Sequence, residues 1–235
     1  MQLSRRGHLS AGVPGTVAGL FASMKYAALP FEKLVQPAID LAEYGFVITE
    51  AEAGGLNHIR PDLERYNSSK IAFLKPNEWK KGDTLIQADL AETLKRIRDK
   101  GQKGFYEGET ARLIVAEMKK ANGIISEEDL KNYTAKERKP VIFNYKGYTL
   151  VSMSLPSSGG IILKQCLKMI EDKSIGKMGF QSANAVQLMV EAERRAYADR
   201  AEYMGDADFV KVPVDTLLSD HYIRKRMEDY VPGKA

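Results

Sequence analysis

Apolar residues in this chain recur mostly three and four positions apart, the spacing of one face of an α-helix. Thr16, behind the turn Ala11-Gly12-Val13-Pro14-Gly15, stands to cap a helix carrying Val17, Leu20, Phe21 and Met24. Gly12, Gly15 and Gly19 there suit either tight packing or a ligand contact. Leu29-Pro30-Phe31 opens a second helix with the stripe Leu34, Val35, Ala38, Ile39 and Ala42 and a stop at Gly45. Pro37 inside it predicts a kink or a fresh first turn. A third helix begins at Thr49, where Glu52 completes a capping box, and Pro61 ends or bends it. Between Asn67 and Asp83 the pattern is irregular, with Ile71-Ala72-Phe73-Leu74 reading as a short strand. Helical spacing resumes over 85–99 through Leu90, Leu94 and Ile97. A glycine-punctuated link, 101–108, leads to a helix carrying Leu113, Ile114 and Met118 that stops at Asn122-Gly123. Ser126 with Asp129 forms another capping box before Leu130 and Tyr133.

The period then changes. Val141, Phe143 and Tyr145 alternate with Ile142, Asn144 and Lys146, and Lys146-Gly147 supplies a turn, so 141–154 reads as a hairpin. The corner after it is Leu155-Pro156-Ser157-Ser158-Gly159-Gly160. Pro156 has no N–H to give a ladder and ends the strand. Ser157 or Ser158 caps the next helix, while Gly159 and Gly160 let another group approach unpaired backbone N–H groups. Two readings stay open: a capped helix after a tight turn, or a substrate-facing site for an oxyanion or carboxylate. The helix that follows carries Leu163, Cys166, Leu167 and Ile170.

Ser182 caps a long helix reaching about Tyr203, with Val186, Met189, Val190, Ala196 and Tyr197 as its inner face. Glu193 falls on that face, and an inward carboxylate needs a partner, for which Arg194 and Arg200 are candidates. Asp199 and Arg200, with Asp206 just beyond, read either as part of a charged lock on the following loop or as ordinary salt bridges. Residues 208–213 read as extended, and a last helix starts near Ser219 with Tyr222, Ile223 and Met227. The sum is roughly eight helices and four short strands, a predominantly helical α+β chain.

At 235 residues, 44% hydrophobic and 28% charged, the chain is long enough to bury a core and has ordinary globular composition. Its 35 basic residues are interspersed with 31 acidic ones, and no basic run alternates with aromatics, which argues against nucleic acid as a partner. Cys166 is the only cysteine and sits among apolar residues, as a small buried residue would rather than a nucleophile. His8, His58 and His221 lack metal-ligand spacing, and no apolar stretch is long enough for a transmembrane helix. The opening Met1-Gln2-Leu3-Ser4-Arg5-Arg6 has no apolar run after its arginines, so no signal peptide is visible. Both ends read as cuts inside something larger.

Four stretches together resemble one family, the gamma-glutamyltransferases, also called gamma-glutamyltranspeptidases or glutathione hydrolases. They are residues 12–20, residues 37–42 with Gly45-Phe46, the Pro156-Ser157-Ser158-Gly159-Gly160 corner, and Glu191-Ala192 through Asp199-Arg200 to 205–209. The order and spacing are those of the family. The resemblance covers the chain from about Gly7 to Tyr230, with Leu155 standing where a proline is common.

The resemblance implies that the chain is the later two-thirds of a large subunit, a partial domain over 1–235. The whole would be an αββα sandwich of the N-terminal-nucleophile hydrolases. In that family a precursor cuts itself before a threonine, which becomes the nucleophile of a small catalytic subunit. That threonine lies in a Thr-Thr-His type motif that no threonine here matches, so no catalytic residue is expected in this chain. Arg5 and Arg6 do not match the arginine that holds the substrate's α-carboxylate. The resemblance further implies a γ-glutamyl peptide substrate, no metal or organic cofactor, the small subunit as partner, and a periplasmic or secreted location. Ser157, Ser158, Gly159 and Gly160 are expected beside the active site, and Glu193, Asp199, Arg200 and Asp206 as the structural lock. Apolar surface is expected to stay exposed where the rest docks. A related acylase, such as a β-lactam acylase, and a non-catalytic helical module that binds a partner are the competing readings.

Overall fold

A computed structural model describes residues 5–67 and 69–234, which leaves the opening Met1-Gln2-Leu3-Ser4 outside the described residues. The chain divides into two units, Met1–Lys136 and Glu137–Ala235. Among the described residues there are eleven α-helices and four strands, more helices than the pattern suggested because two of them have only four residues.

The first unit holds α1 (Thr16–Ser23), α2 (Phe31–Tyr44), β1 (Phe46–Val47), α3 (Glu50–Tyr66), β2 (Thr84–Leu85), α4 (Ala88–Lys100), α5 (Lys103–Tyr106), α6 (Gly108–Lys120) and α7 (Glu127–Lys131). Both capping boxes form, at Thr49 with Glu52 and at Ser126 with Asp129. Thr16 does not cap α1. It is the first helical residue, and the N–H of Ala18 instead donates to the hydroxyl of Tyr106 (3.2 Å), which itself donates to the carbonyl of Pro14 (2.7 Å). Gly15 precedes the helix because a Cβ there would lie 2.1 Å from the Tyr133 hydroxyl. The core around Tyr106 contains Val17, Ile97, Ala111, Val115 and Leu130.

Pro37 and Pro61 lie within α2 and α3, neither of which ends there. In α2, Val35, Ile39 and Ala42 are buried, whereas Leu34 and Ala38 are exposed. Residues 71–74 are a turn rather than a strand, with Leu74 N–H donating to the Ile71 carbonyl (3.1 Å). The segment is organised by buried Trp79, whose indole N–H donates to the Phe73 carbonyl (2.8 Å) and whose backbone is clasped on both sides by Asn57. The strand partner of Phe46–Val47 is Thr84–Leu85, of which periodicity assigned Leu85 to a helix start.

The second unit opens with the hairpin of β3 (Val141–Tyr145) and β4 (Tyr148–Ser152), paired antiparallel from Val141 opposite Ser152 to Tyr145 opposite Tyr148. Lys146 and Gly147, both at positive φ, make the two-residue turn whose twist matches the flanking strands. Val141 and Phe143 face a core shared with Leu155, Ile161 and Leu217. Then come α8 (Gly159–Ile170), α9 (Ala183–Tyr203), α10 (Val214–Leu217) and α11 (Asp220–Lys225). Ser182 caps α9 as expected and Ser219 caps α11, each hydroxyl accepting a backbone N–H three residues on (3.2 Å).

Two inner faces differ from the expected ones. On α8 the buried positions are Gly160, Ile161, Gln165 and Met169, and Leu163 is exposed. On α9 they are Ala185, Leu188, Glu191, Ala192, Arg195, Ala196 and Asp199, whereas Val186, Met189, Val190 and Tyr197 are exposed. Residues 206–210 form a turn instead of an extended run, closed by the N–H groups of Phe209 and Val210 on the Asp206 carbonyl.

Candidate functional site

The corner between β4 and α8 is built from backbone bonds. Ser157 N–H donates to the Ser154 carbonyl (3.2 Å), Gly160 N–H to the Met153 carbonyl (3.1 Å) and Gly159 N–H to the Ser157 hydroxyl (3.2 Å). Three of the N–H groups that the sequence offered to an anion are therefore already engaged. The two glycines differ in kind. A Cβ on Gly160 would lie 2.3 Å from the Met153 carbonyl oxygen and 3.1 Å from the Val141 Cβ, so this glycine is where α8 presses on the hairpin. A Cβ on Gly159 would meet only the Ser157 hydroxyl, at 3.3 Å.

Ser158 occupies the cap position, yet its hydroxyl makes no capping bond and accepts from Arg200 Nε (3.1 Å). No imidazole or carboxylate hydrogen-bonds either serine hydroxyl among the described residues, so neither has the adjacent base that activates a nucleophile. Cys166 is no better placed, since burial pushes its thiol up to about 11.

The buried charge lies one helix face away from where the apolar pattern put it. Glu191, Arg195 and Asp199 follow one another at four-residue spacing on α9, and all three are buried. Arg195 bonds the Glu191 carboxylate and reaches Asp229 (2.6 Å). Arg194 also bonds Glu191 (2.8 Å); the two guanidiniums, Arg194 first, hold that carboxyl down at about 2. Asp199 accepts from Gln165 Nε2 (3.0 Å) and from the Tyr222 hydroxyl (2.9 Å), and Arg226 Nε lies 3.1 Å away as a charge partner outside hydrogen-bond alignment. Burial, then the bond to Asp199 and its charge, push Tyr222 up to about 12. Gln165 also donates to the Leu217 carbonyl (3.2 Å), and Arg226 to that of Arg195 (3.1 Å). This network ties α8, α9, the end of α10 and α11 together.

The expected lock is thus dispersed. Glu193 is exposed, and Arg194 serves Glu191 instead. Asp199 faces the core, Arg200 faces the corner, and Asp206 accepts the N–H of Asp208 (3.0 Å) inside its own turn. The loop is fastened by Arg138, which pairs with Asp208 at 2.6 Å. Gln165, Glu191, Arg195, Tyr222, Arg226 and Asp229 went unread in the sequence. The 191–195–199 spacing of alternating charge was the available signal for two of them, Glu191 and Arg195. Among the described residues, no group of three or more His, Cys, Asp or Glu could hold a metal ion, and no helix is long and apolar enough to cross a membrane.

Known proteins share this fold. The chain superposes on the crystal structure of gamma-glutamyltranspeptidase from Helicobacter pylori with a TM-score of 0.94 at 45% identity, covering 99% of this chain and 68% of that one. The α+β fold is that of a portion of an N-terminal-nucleophile hydrolase. The glutathione hydrolase proenzyme of Escherichia coli K12 is 46% identical over 231 residues, 97% of this chain and 40% of that protein. The Acylase ACY 1 proenzyme of Pseudomonas sp. V22 is 36% identical over 94% of this chain and 40% of its own length. The family model for gamma-glutamyltranspeptidase matches residues 1–234, and the chain belongs to that family. It spans about 40% of the length of the curated relatives it matches.

Proposed function

We propose that the complete protein cleaves and transfers the γ-glutamyl group of glutathione and related γ-glutamyl amides. Residues 1–235 supply the later two-thirds of its large subunit. The observation that carries this reading is the family match over 1–234, together with relatives at 40–46% identity named glutathione hydrolase proenzymes. In the proposed mechanism a threonine downstream of Ala235 becomes a new N-terminus by self-cleavage and attacks the γ-glutamyl carbonyl. Its α-amine serves as the base, since such an amine titrates at about 7.7–8.0. Backbone N–H donors stabilise the tetrahedral oxyanion. The γ-glutamyl C–N bond then breaks as the α-amine passes the proton it took from the hydroxyl to the departing amine, and the acyl group goes on to water or to an acceptor amine, with no metal or organic cofactor required.

On this reading the small catalytic subunit is the partner, the corner at Ser157, Ser158, Gly159 and Gly160 lies beside the active site, and residues 1–235 alone are inactive. Asp199 and Arg200 contribute by fixing the α8–α9 pair that carries the corner. The chemical reason for inactivity is that neither serine hydroxyl nor the thiol here is activated. The acylase reading stays second, favoured by the 36% identity to Acylase ACY 1.

The test is release of nitroaniline from a γ-glutamyl nitroanilide by residues 1–235 and by the chain extended through the downstream threonine. Turnover is expected only for the extended chain. Turnover by residues 1–235 that survives a Ser157→Ala, Ser158→Ala double substitution would place a nucleophile elsewhere and overturn the proposal.

A further inference from the structure

A cleft of about 490 Å³ lies between the C-terminal end of α8 and α11, at the opposite end of α8 from the corner. Its volume is in the range of small-molecule sites. Buried Met169, Ile223 and Met227 form its floor. Five of the seven charged side chains that line it are already paired: Lys168 with Glu171 (2.7 Å), Lys173 with Asp172 (3.6 Å) and Asp220 with Lys164 (3.7 Å). The other two, Arg224 and Glu228, are exposed and have no ion-pair or side-chain hydrogen-bond partner among the described residues. Four-residue spacing would normally bring such a pair together. Here the helix tightens: the N–H groups of Met227 and Glu228 donate to the carbonyls of Arg224 (3.0 Å) and Lys225 (3.2 Å), three residues back. At about three residues per turn, residue 228 no longer stands over residue 224, so one cation and one anion stay open on the cleft.

We propose that this cleft binds a dipeptide with free termini and an apolar side chain, its carboxylate on Arg224 and its ammonium on Glu228. Charge requires a ligand with one group of each sign, since every other charge on the cleft is matched. Span chooses among such ligands. Residues 224 and 228 are about 6–8 Å apart along the helix axis. An extended dipeptide separates its termini by about 7 Å, whereas a single amino acid carries both groups on one carbon. The floor of methionine and isoleucine takes the apolar side chain, and the guanidinium can grip the carboxylate with two N–H groups. Neither residue takes part in the proposed function, and the cleft does not depend on that reading.

The test is calorimetric titration of the full-length protein with L-leucyl-L-leucine. The amide of that dipeptide, its N-acetyl form and glycylglycine are titrated beside it. Each is expected to bind at least about tenfold more weakly, having lost the carboxylate, the ammonium or the side chains. Arg224→Ala should weaken the free dipeptide by about tenfold and bind it no better than the amide. Glu228→Gln should bind the free dipeptide no better than the N-acetyl form. Arg224→Lys should recover part of the loss, since it keeps the charge without the fork. Arg224→Gln and Glu228→Ala repeat the measurement should either first variant lower the urea-unfolding midpoint.

No binding of L-leucyl-L-leucine up to about 10 mM overturns the proposal. So does binding that Arg224→Ala and Glu228→Gln leave unchanged, which would put the dipeptide elsewhere on the protein. An equal penalty for the amide in the parent and in Arg224→Ala overturns it as well, because the carboxylate would then have another partner. Nitroanilide turnover is read on the same preparations and is expected at the parent's rate in both variants. Dipeptide binding without turnover in the parent leaves the cleft standing and removes the proposed function, and turnover without binding does the reverse.

Discussion

Gly160→Ala separates packing from ligand approach at the corner, with Gly159→Ala as its internal control. The added methyl at residue 160 would lie 2.3 Å from the Met153 carbonyl oxygen. Ordinary carbon–oxygen contact begins at about 3.3 Å, so that carbonyl must retreat by about 1 Å. The Val141 Cβ, at 3.1 Å, is a second contact closer than ordinary packing allows. The same carbonyl accepts the Gly160 N–H at 3.1 Å, so retreat also stretches the bond that fastens the helix start. Overpacking costs about 1–3 kcal/mol and the weakened bond about 0.5–1.5 kcal/mol, for a total of about 2–4 kcal/mol.

Gly159→Ala meets only a serine hydroxyl at 3.3 Å, which can turn aside. Restricting the unfolded chain returns about 0.4–1 kcal/mol, leaving the variant near neutral. Urea unfolding of both variants, followed by circular dichroism, measures the difference. If Gly160→Ala unfolds within about 0.5 kcal/mol of the parent, the contact with the hairpin is not what requires a glycine. A Gly159→Ala that keeps its stability but loses turnover in the full-length enzyme would locate the ligand approach at Gly159.

Two further outcomes follow from the buried charges of the second unit. Asp199→Ala strands the Arg226 guanidinium and the Gln165 amide, and should cost about 3 kcal/mol in urea unfolding. That is the low end of the range for breaking a buried pair, because the Arg226 side chain is still 32% exposed. An effect below about 1 kcal/mol would mean the network does not hold α8, α9 and α11 together. Glu191 has its folded value depressed to about 2 from an ordinary 4.5, so the stability it contributes is complete above about 4.5 and is lost as pH falls toward 2. Glu191→Gln should flatten that part of the acid-unfolding profile, and an unchanged slope between pH 4.5 and 2 would refute the assignment.

Local chemistry was legible in the residues. The capping boxes at Thr49 and Ser126, the cap at Ser182, the start of the last helix near Ser219, the Lys146-Gly147 turn and the alternation of Val141 and Phe143 each depend on neighbours within a few positions. The family motifs were legible for the same reason, being contiguous strings. What the residues could not give was which side of a helix faces in. The apolar pattern named Val186, Met189, Val190 and Glu193 as the inner face of α9, and the structure buries Glu191, Arg195 and Asp199 instead.

The physical reason is that a polar side chain is costly to bury alone but not when its partners are supplied. Those partners, Gln165, Tyr222, Arg226 and Asp229, come from residues up to 34 positions away and meet α9 only in the folded unit. Thr16 lost its cap role to Tyr106 across 88 residues for the same reason. Ser158 likewise caps nothing, because Arg200 reaches its hydroxyl across 42. The sequence by itself determined where elements begin, turn and stop, and to which family the chain belongs. Only the tertiary structure decided which faces close on one another, because a buried ion pair is a property of two distant segments and leaves no periodicity in either.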